Sequence, residues 1–425
     1  MSIISKRVEI TPSKLSTTGN GTQWAPVAHH DIPSRQTSTT HQNIHPRQAP
    51  TTESTFHSTS TITERKPLIR RDHHPQPIGK IWSVNEWGRL EEIILGNPQN
   101  AFLPSMQDIS HQNFDRPAEE ILHQITATSM PQWIIEETLE DLEAMAELLT
   151  RFGVVVHRSD SLHSTDPIRS PYWIAEPESA INIRDLTLIH GNLVIDAPSP
   201  TRKRYYEGLA VRGLFDQYRS QRRDSWFVAP PRPKLFDDTY DLARPRGINN
   251  TEPLFDAANC IRLGSDVIID INNTANRVGA EWIQQALDHH YGETRVKVHP
   301  VSLSPDHLDV IIVPLCEGVA VINPKYVDRD SLPACLSNWK LIESPAMVPQ
   351  PFNSTSSKAS NWIGLNLLVL DGTERTVIVE ERQLPLIRQL EKYGFQPVPV
   401  RWRHGRTWGG SFHCVTLDVH RLGVI

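Results

Sequence analysis

Cysteine is scarce in this 425-residue chain: Cys260, Cys316, Cys335 and Cys414 are the whole complement, and no two stand in CxxC spacing. Structural zinc clusters and dithiol redox chemistry are therefore not expected, and no metal site is assigned. Few cysteines in a long chain suit a reducing compartment. No apolar run approaches the roughly 18 residues of a membrane span. The best stretch, Val310 to Ile322, is broken by Pro314 and Glu317. No glycine-rich phosphate loop follows an early strand, which speaks against an ordinary nucleotide-binding doubly wound sheet. The formal charge of −6 offers no attraction to nucleic acid or to an anionic membrane. The start, Met1-Ser-Ile-Ile-Ser-Lys6, lacks the apolar core of a secretory signal. The expected location is the cytoplasm, with the mitochondrion as the alternative.

What is present divides in two. Residues 1 to 78 are dominated by Ser, Thr, His, Pro and Gln, as in Ser34-Arg-Gln-Thr-Ser-Thr-Thr40. So few large apolar groups cannot offset the entropy of ordering, and a disordered extension is expected. The segment is neither arginine-rich nor free of acids, so it fits a transit peptide poorly. Its irregularly spaced histidines fit a solvated tail better than a metal site. Residues 79–425 carry the folded, catalytic part.

There the chain repeats amphipathic helix followed by strand. Leu139, Leu142, Met145 and Leu149 share one helical face, and Phe152-Gly153 supplies a left-handed stop before Val154 to His157. Four further units are expected. Their helices span Tyr205 to Tyr218, Glu281 to Tyr291, Asp328 to Leu336 and Leu384 to Tyr393. Short apolar strands lie between them, such as Val267 to Ile269 and Leu367 to Leu370. Five such units predict a repeated α/β fold.

The candidate nucleophile sits in Trp408-Gly-Gly-Ser-Phe-His-Cys414. Two glycines let the backbone turn tightly and approach a ligand closely. A thiolate is the strongest side-chain nucleophile near neutral pH, although most free cysteines are buried and inert. Asp185, Asp256, His307 and Asp309 stand just before predicted strands, where side chains of an α/β fold converge. In His307-Leu-Asp309 the period-two spacing would put both side chains on one face of an extended segment.

These residues occur in an order that resembles the glycine and inosamine-phosphate amidinotransferases. The segments that carry the resemblance are Asn85-Glu-Trp-Gly-Arg-Leu-Glu-Glu92, Arg184-Asp185, Phe255-Asp-Ala-Ala258, His307-Leu-Asp309 and Gly409-Gly-Ser-Phe-His-Cys414. It spans roughly residues 80 to 423. It implies the pentein fold: five ββαβ-type units around a pseudo-fivefold axis with a central polar channel. Cys414 matches the nucleophile that attacks the guanidinium carbon, His307 the general acid and base, and Asp256 its orienting carboxylate. Asp185 and Asp309 match the carboxylates that clamp the donor guanidinium. The implied reaction moves an amidino group from arginine, or a related guanidine donor, to an amine through an amidino-cysteine. It releases ornithine and uses no metal or organic cofactor. Relatives are often dimers.

Three departures from that pattern bear on substrate. Asn323-Pro-Lys-Tyr326 replaces an Asn-Pro-Asp-Arg segment, so Tyr326 stands where an arginine would meet the donor carboxylate. Asp306 replaces an apolar residue before His307. Ala359-Ser360-Asn361 replaces a double serine near the substrate amino group, which leaves Ser360 as the candidate contact. The changes suggest a substrate more cationic than glycine, or a donor carboxylate held differently, and lean toward secondary metabolism. Two other functions remain open on the sequence. One is guanidine hydrolysis by a deiminase of the same fold. The other is a non-catalytic binding module, against which the retained polar set argues.

Overall fold

In the computed structural model, residues 78–103, 128–162, 166–240, 247–350 and 359–425 are described. The expected extension lies outside them, except for Ile78, which is buried in the core. The elements named below are those among the described residues.

Helix α1 (Gln132–Arg151) follows β1 (Leu90–Leu95). It buries Ile134, Ile135, Leu142, Met145 and Leu149 on one face, close to the expected stripe, with Leu139 half-buried beside them. Pro131, with its fixed φ, stands just before the first turn of the helix. Gly153 ends it at φ +82°, the left-handed region that a side chain would strain, and the Val154 amide closes back on the Leu149 carbonyl at 3.0 Å. The chain then enters β2 (Val155–Arg158), parallel to β1.

The same plan recurs. β3 (Thr187–His190) and β4 (Leu193–Asp196) lead to α2 (Leu209–Gln221) and β5 (Trp226–Val228). β6 (Cys260–Arg262) and β7 (Asp266–Asp270) lead to α3 (Arg277–Tyr291) and β8 (Lys297–Val301). β9 (Ile312–Cys316) and β10 (Val319–Ile322) lead to β11 (Lys340–Glu343). β12 (Leu368–Asp371) and β13 (Thr376–Glu380) lead to α4 (Leu384–Lys392) and β14 (Gln396–Val400). A short helix, α5 (Gly405–Trp408), precedes the last strand, β15 (Thr416–Arg421).

Five three-stranded sheets result. In each the middle strand is antiparallel to one neighbour and parallel to the other. Four are built from consecutive strands. The first is completed from the far end of the chain: β15 pairs antiparallel with β1, opposite β2. This is a mixed α/β fold in repeating units. No described helix is long and apolar enough to cross a membrane.

Two expectations are corrected. Between β10 and β11 there is no α-helix; the chain makes 3-10 turns at Arg329–Ser331 and Ala334–Leu336. Pro333 removes an amide donor there and disfavours helical backbone at Leu332. Helix α2 starts at Leu209, not Tyr205, because Arg202–Arg204 forms its own 3-10 turn with all three cationic side chains buried.

One feature of the repeat positions the chemistry. A short 3-10 turn runs into the first strand of four sheets: Ile183–Leu186, Ala257–Asn259, Leu308–Val310 and Asn361–Leu365. These turns pack against one another in chain order. The fifth sheet receives instead the turn after α5, which carries Cys414.

Candidate active site

Each turn delivers polar side chains to one place. Asp185 lies within its turn, Asp256 and His307 stand at the first positions of theirs, Asp309 follows His307, and Asn366 closes the fourth. Cys414 arrives after Gly409, which is left-handed at φ +67°, and after Gly410. Asp185, His307, Asp309, Ser360 and Cys414 line one pocket together with Asn182, Arg204, Asp306 and Trp408. Asp256 lies fully buried behind it.

The turn at the cysteine is tied from below. Asn366 Oδ1 accepts the amides of Ser411 and Cys414, at 3.2 and 2.9 Å. The Cys414 thiol donates to Asp309 Oδ2 at 3.4 Å. The same oxygen meets His413 Nδ1 at 2.8 Å, while His413 Nε2 faces Glu86 Oε2 at 3.4 Å. Glu86 is held in turn by Arg262, at 2.7 Å, and Arg262 reaches Asp418 at 2.8 Å. Arg184 and Arg421 complete the neutralisation of Asp418. This buried charge network underlies the Cys414 turn, and single removals from such networks are costly because they strand a charge.

His307 is held between carboxylates. Its Nε2 hydrogen-bonds Asp256 Oδ2 at 3.2 Å. Its Nδ1 approaches Asp185 Oδ1 to 3.4 Å, an ion-pair contact without hydrogen-bond alignment. Burial opposes charge on the ring, but Asp185, Asp256 and Asp309 outweigh it and raise the His307 pKa to about 9. Burial, reinforced by the charges of Asp309 and Asp185, holds the Cys414 thiol well above the usual thiol range. Burial also raises Asp185, against the pull of His307 and Arg204. Asp309 goes the other way: burial would raise it, and its bond to His413 and the nearby imidazoles lower it.

Arg204 is the residue that sequence reasoning missed. Its guanidinium bonds Asp185 Oδ2 at 2.6 Å and Glu207 at 2.7 Å, and lies 3.7 Å from Asp256. One oxygen of Asp185 is thus spoken for by the protein, and one oxygen of Asp309 by His413 and Cys414. The remaining oxygens, Asp185 Oδ1 and Asp309 Oδ1, are buried and accept no well-aligned hydrogen bond among the described residues, although His307 Nδ1 stands 3.4 Å from the first and the Asn366 side chain helps to lower the Asp309 pKa. Each carboxylate therefore presents one oxygen, not two, to a ligand. Buried acceptors that lack donors are expensive, and a planar cation rich in N–H groups would satisfy both.

Asp185, Asp256 and His307 also form a geometry that could hold a metal ion. Arg204 already supplies the positive charge there, and an ion would have to displace it. A second group, Asp266, His299 and Cys335, lies away from the pocket, with His299 bonded to Asp266 at 2.6 Å. Tyr326 is not among the pocket residues. Its hydroxyl accepts from Lys325 Nζ at 2.7 Å, and its side chain packs against the buried cluster that includes Ile312, Ile322 and Leu336. Ser360 does reach the pocket, beside Ala359.

Comparison with known proteins follows the same lines. No family model matches the chain. It is 34% identical over 343 residues to an inosamine-phosphate amidinotransferase of Streptomyces glaucescens, covering 80% of this chain and 96% of that one. It is 31% identical over 355 residues to an L-arginine:L-lysine amidinotransferase of Pseudomonas savastanoi pv. phaseolicola, covering 81% and 95%. Among solved structures it superposes on the inosamine-phosphate amidinotransferase StrB1 of Streptomyces griseus. The TM-score is 0.75 at 34% identity, over 81% of this chain and 98% of that one.

Proposed function

The chain belongs to the amidinotransferase family, and on that premise we propose that it carries an amidino group from arginine to an amine acceptor through Cys414. The observation that carries the reading is the pair of buried oxygens on Asp185 and Asp309 that accept no well-aligned hydrogen bond, on residues that line one pocket with the thiol and the imidazole. They suit the N–H groups of a guanidinium and fix its plane.

The chemistry follows from the charges. The bound cation lowers the cost of forming a thiolate beside Asp309 and Asp185, and the thiol proton leaves to solvent as the cation enters, so that His307 keeps its own proton for the leaving nitrogen. Sulfur attacks the guanidinium carbon, and a tetrahedral adduct forms. Protonated His307, held by Asp256, gives its proton to the leaving nitrogen; the C–N bond breaks and ornithine departs. Cys414 then carries the amidino group. The incoming amine attacks the same carbon and gives a proton to His307, the C–S bond breaks, and the thiolate returns. The proposal needs no metal or organic cofactor.

Several finer points belong to the same proposal. The five sheets are read as blades of a closed five-fold ring with the pocket at its centre. Residues 79–425 are read as the catalytic domain and 1–78 as an extension preceding it. Free thiols at all four cysteines suit a cytoplasmic setting. Tyr326 is not proposed as a substrate contact, whereas Ser360 is. Glu178, Asp185, Asp306 and Asp309 give the pocket an acidic lining, which favours a neutral or cationic acceptor in a specialised biosynthetic route.

Mass spectrometry of the protein incubated with arginine tests the reading. The expected result is a gain of one amidino group at Cys414, with ornithine released. Citrulline and ammonia would overturn it in favour of hydrolysis, and an unmodified Cys414 with arginine unconsumed would overturn it in favour of a binding role.

A further inference from the structure

Asn182 precedes the Asp185 turn and lines the pocket. Its Nδ2 donates to the Trp408 carbonyl at 2.9 Å, which fixes the amide, since a carbonyl can only be met by the nitrogen. Oδ1 is therefore the other end. It is buried, does not cap its own turn, and has no donor among the described residues. It also lies against the nucleophile loop. A Cβ built on Gly410 would sit 2.1 Å from Asn182 Oδ1 and 2.8 Å from Cys414 Cβ. A single point thus neighbours both the orphaned oxygen and the nucleophile's own carbon.

We infer that Asn182 Oδ1 is a substrate-binding atom of the transfer step: it accepts an N–H of the amine nitrogen that bonds to, or leaves, the amidino carbon on Cys414. This rests on the transfer reading above and names the group that orients the amine. A primary amine attacking the amidino carbon carries two hydrogens. One goes to His307 as the C–N bond forms and the C–S bond breaks. The second stays on nitrogen and needs an acceptor in a buried pocket. Asn182 Oδ1 supplies one without adding charge beside the carboxylates. By microscopic reversibility the nitrogen of departing ornithine uses the same oxygen. An uncharged oxygen at this place also suits an amine that must present its lone pair, because it does not favour the ammonium as another carboxylate would.

The test avoids the unidentified acceptor by using the reverse one. Wild-type protein and Asn182→Leu are given arginine with isotopically labelled ornithine, and label entering arginine is followed. In parallel, Nδ-methylornithine, whose attacking nitrogen has only the hydrogen destined for His307, replaces ornithine. Asn182→Leu is expected to lower kcat/KM for ornithine by about tenfold to a hundredfold. The value for Nδ-methylornithine should stay within about twofold, because that substrate never used the oxygen. Equal losses for both substrates would make Asn182 a loop anchor through Trp408 and overturn the inference; so would no loss for either. Alkylation of Cys414 by iodoacetamide at an unchanged rate in the variant is expected, and a changed rate would again indicate an anchor. Wild-type protein that exchanges no label overturns the transfer reading itself, and this inference with it.

Discussion

The Cys414 thiol is hydrogen-bonded to Asp309 Oδ2, at 3.4 Å. Burial holds the pKa of this thiol up, and the charge of the carboxylate it rests against adds to the effect. Such a thiol is protected until a cation enters and offsets the local negative charge.

Asp309→Asn should separate these roles. Removing the charge should make free Cys414 react about tenfold faster with iodoacetamide near pH 8, read by site-specific peptide mass spectrometry. The same change should raise KM for arginine at least about tenfold, because one of the two guanidinium acceptors has lost its charge.

His307 sets a pH window. Its folded pKa, about 9, lies above the unfolded value of about 6.5. Its contribution to stability is thus fully present below about pH 6.5 and lost as pH rises through about 9. Chemical denaturation between pH 6 and 10 should show a loss on the order of 2–3 kcal/mol that is absent in His307→Gln. Ornithine release in the first half-reaction should fall over the same upper range, since the leaving nitrogen needs the protonated ring.

Arg204→Met should be severe. It would leave Asp185, Asp256 and Glu207 buried together without their shared cation. A loss of about 3–5 kcal/mol is expected on denaturation at neutral pH, with Arg204→Lys intermediate. Glu207, raised to about 7 by burial against the pull of Arg204, marks how costly charge is at this position.

Gly410→Ala should damage rate more than fold. The new methyl would meet Asn182 Oδ1 at 2.1 Å and the Cys414 Cβ at 2.8 Å. A displacement of the nucleophile by about 1 Å is expected to cost about a hundredfold in kcat, against about 1–3 kcal/mol in stability. Steady-state kinetics and thermal unfolding of one preparation check both.

Much of this was legible in the chain. Leu142, Met145 and Leu149 announced their buried face because helical period is a local property. Asp185, Asp256, His307, Asp309 and Cys414 stood out because each sits at the mouth of a strand in a recognisable order. Arg204 was not legible. Arg202-Lys203-Arg204 reads as a solvated basic run, yet all three side chains are buried and paired with carboxylates distant in sequence: Asp237, Glu178 and Asp185. Asn366 could have been found by asking what occupies the equivalent place before β12, where no motif draws the eye. Tyr326 was singled out by resemblance of a four-residue segment, which says which residue stands at a position but not what it packs against; it lies beside Lys325 and an apolar cluster, outside the residues that line the pocket.

The pairing of β15 with β1 has a consequence for biosynthesis. Ile93, Ile94 and Leu95 form a strand whose antiparallel partner is made some 320 residues later. Until then the growing chain carries a bare apolar edge, the kind of surface that invites wrong pairing. The segment that covers this edge follows directly on the nucleophile. The acidic cluster is therefore translated first, and the reactive sulfur emerges just ahead of the strand that seals the first sheet. Newly made chains complete the pocket at Cys414 and cover this strand edge within the same short stretch of synthesis.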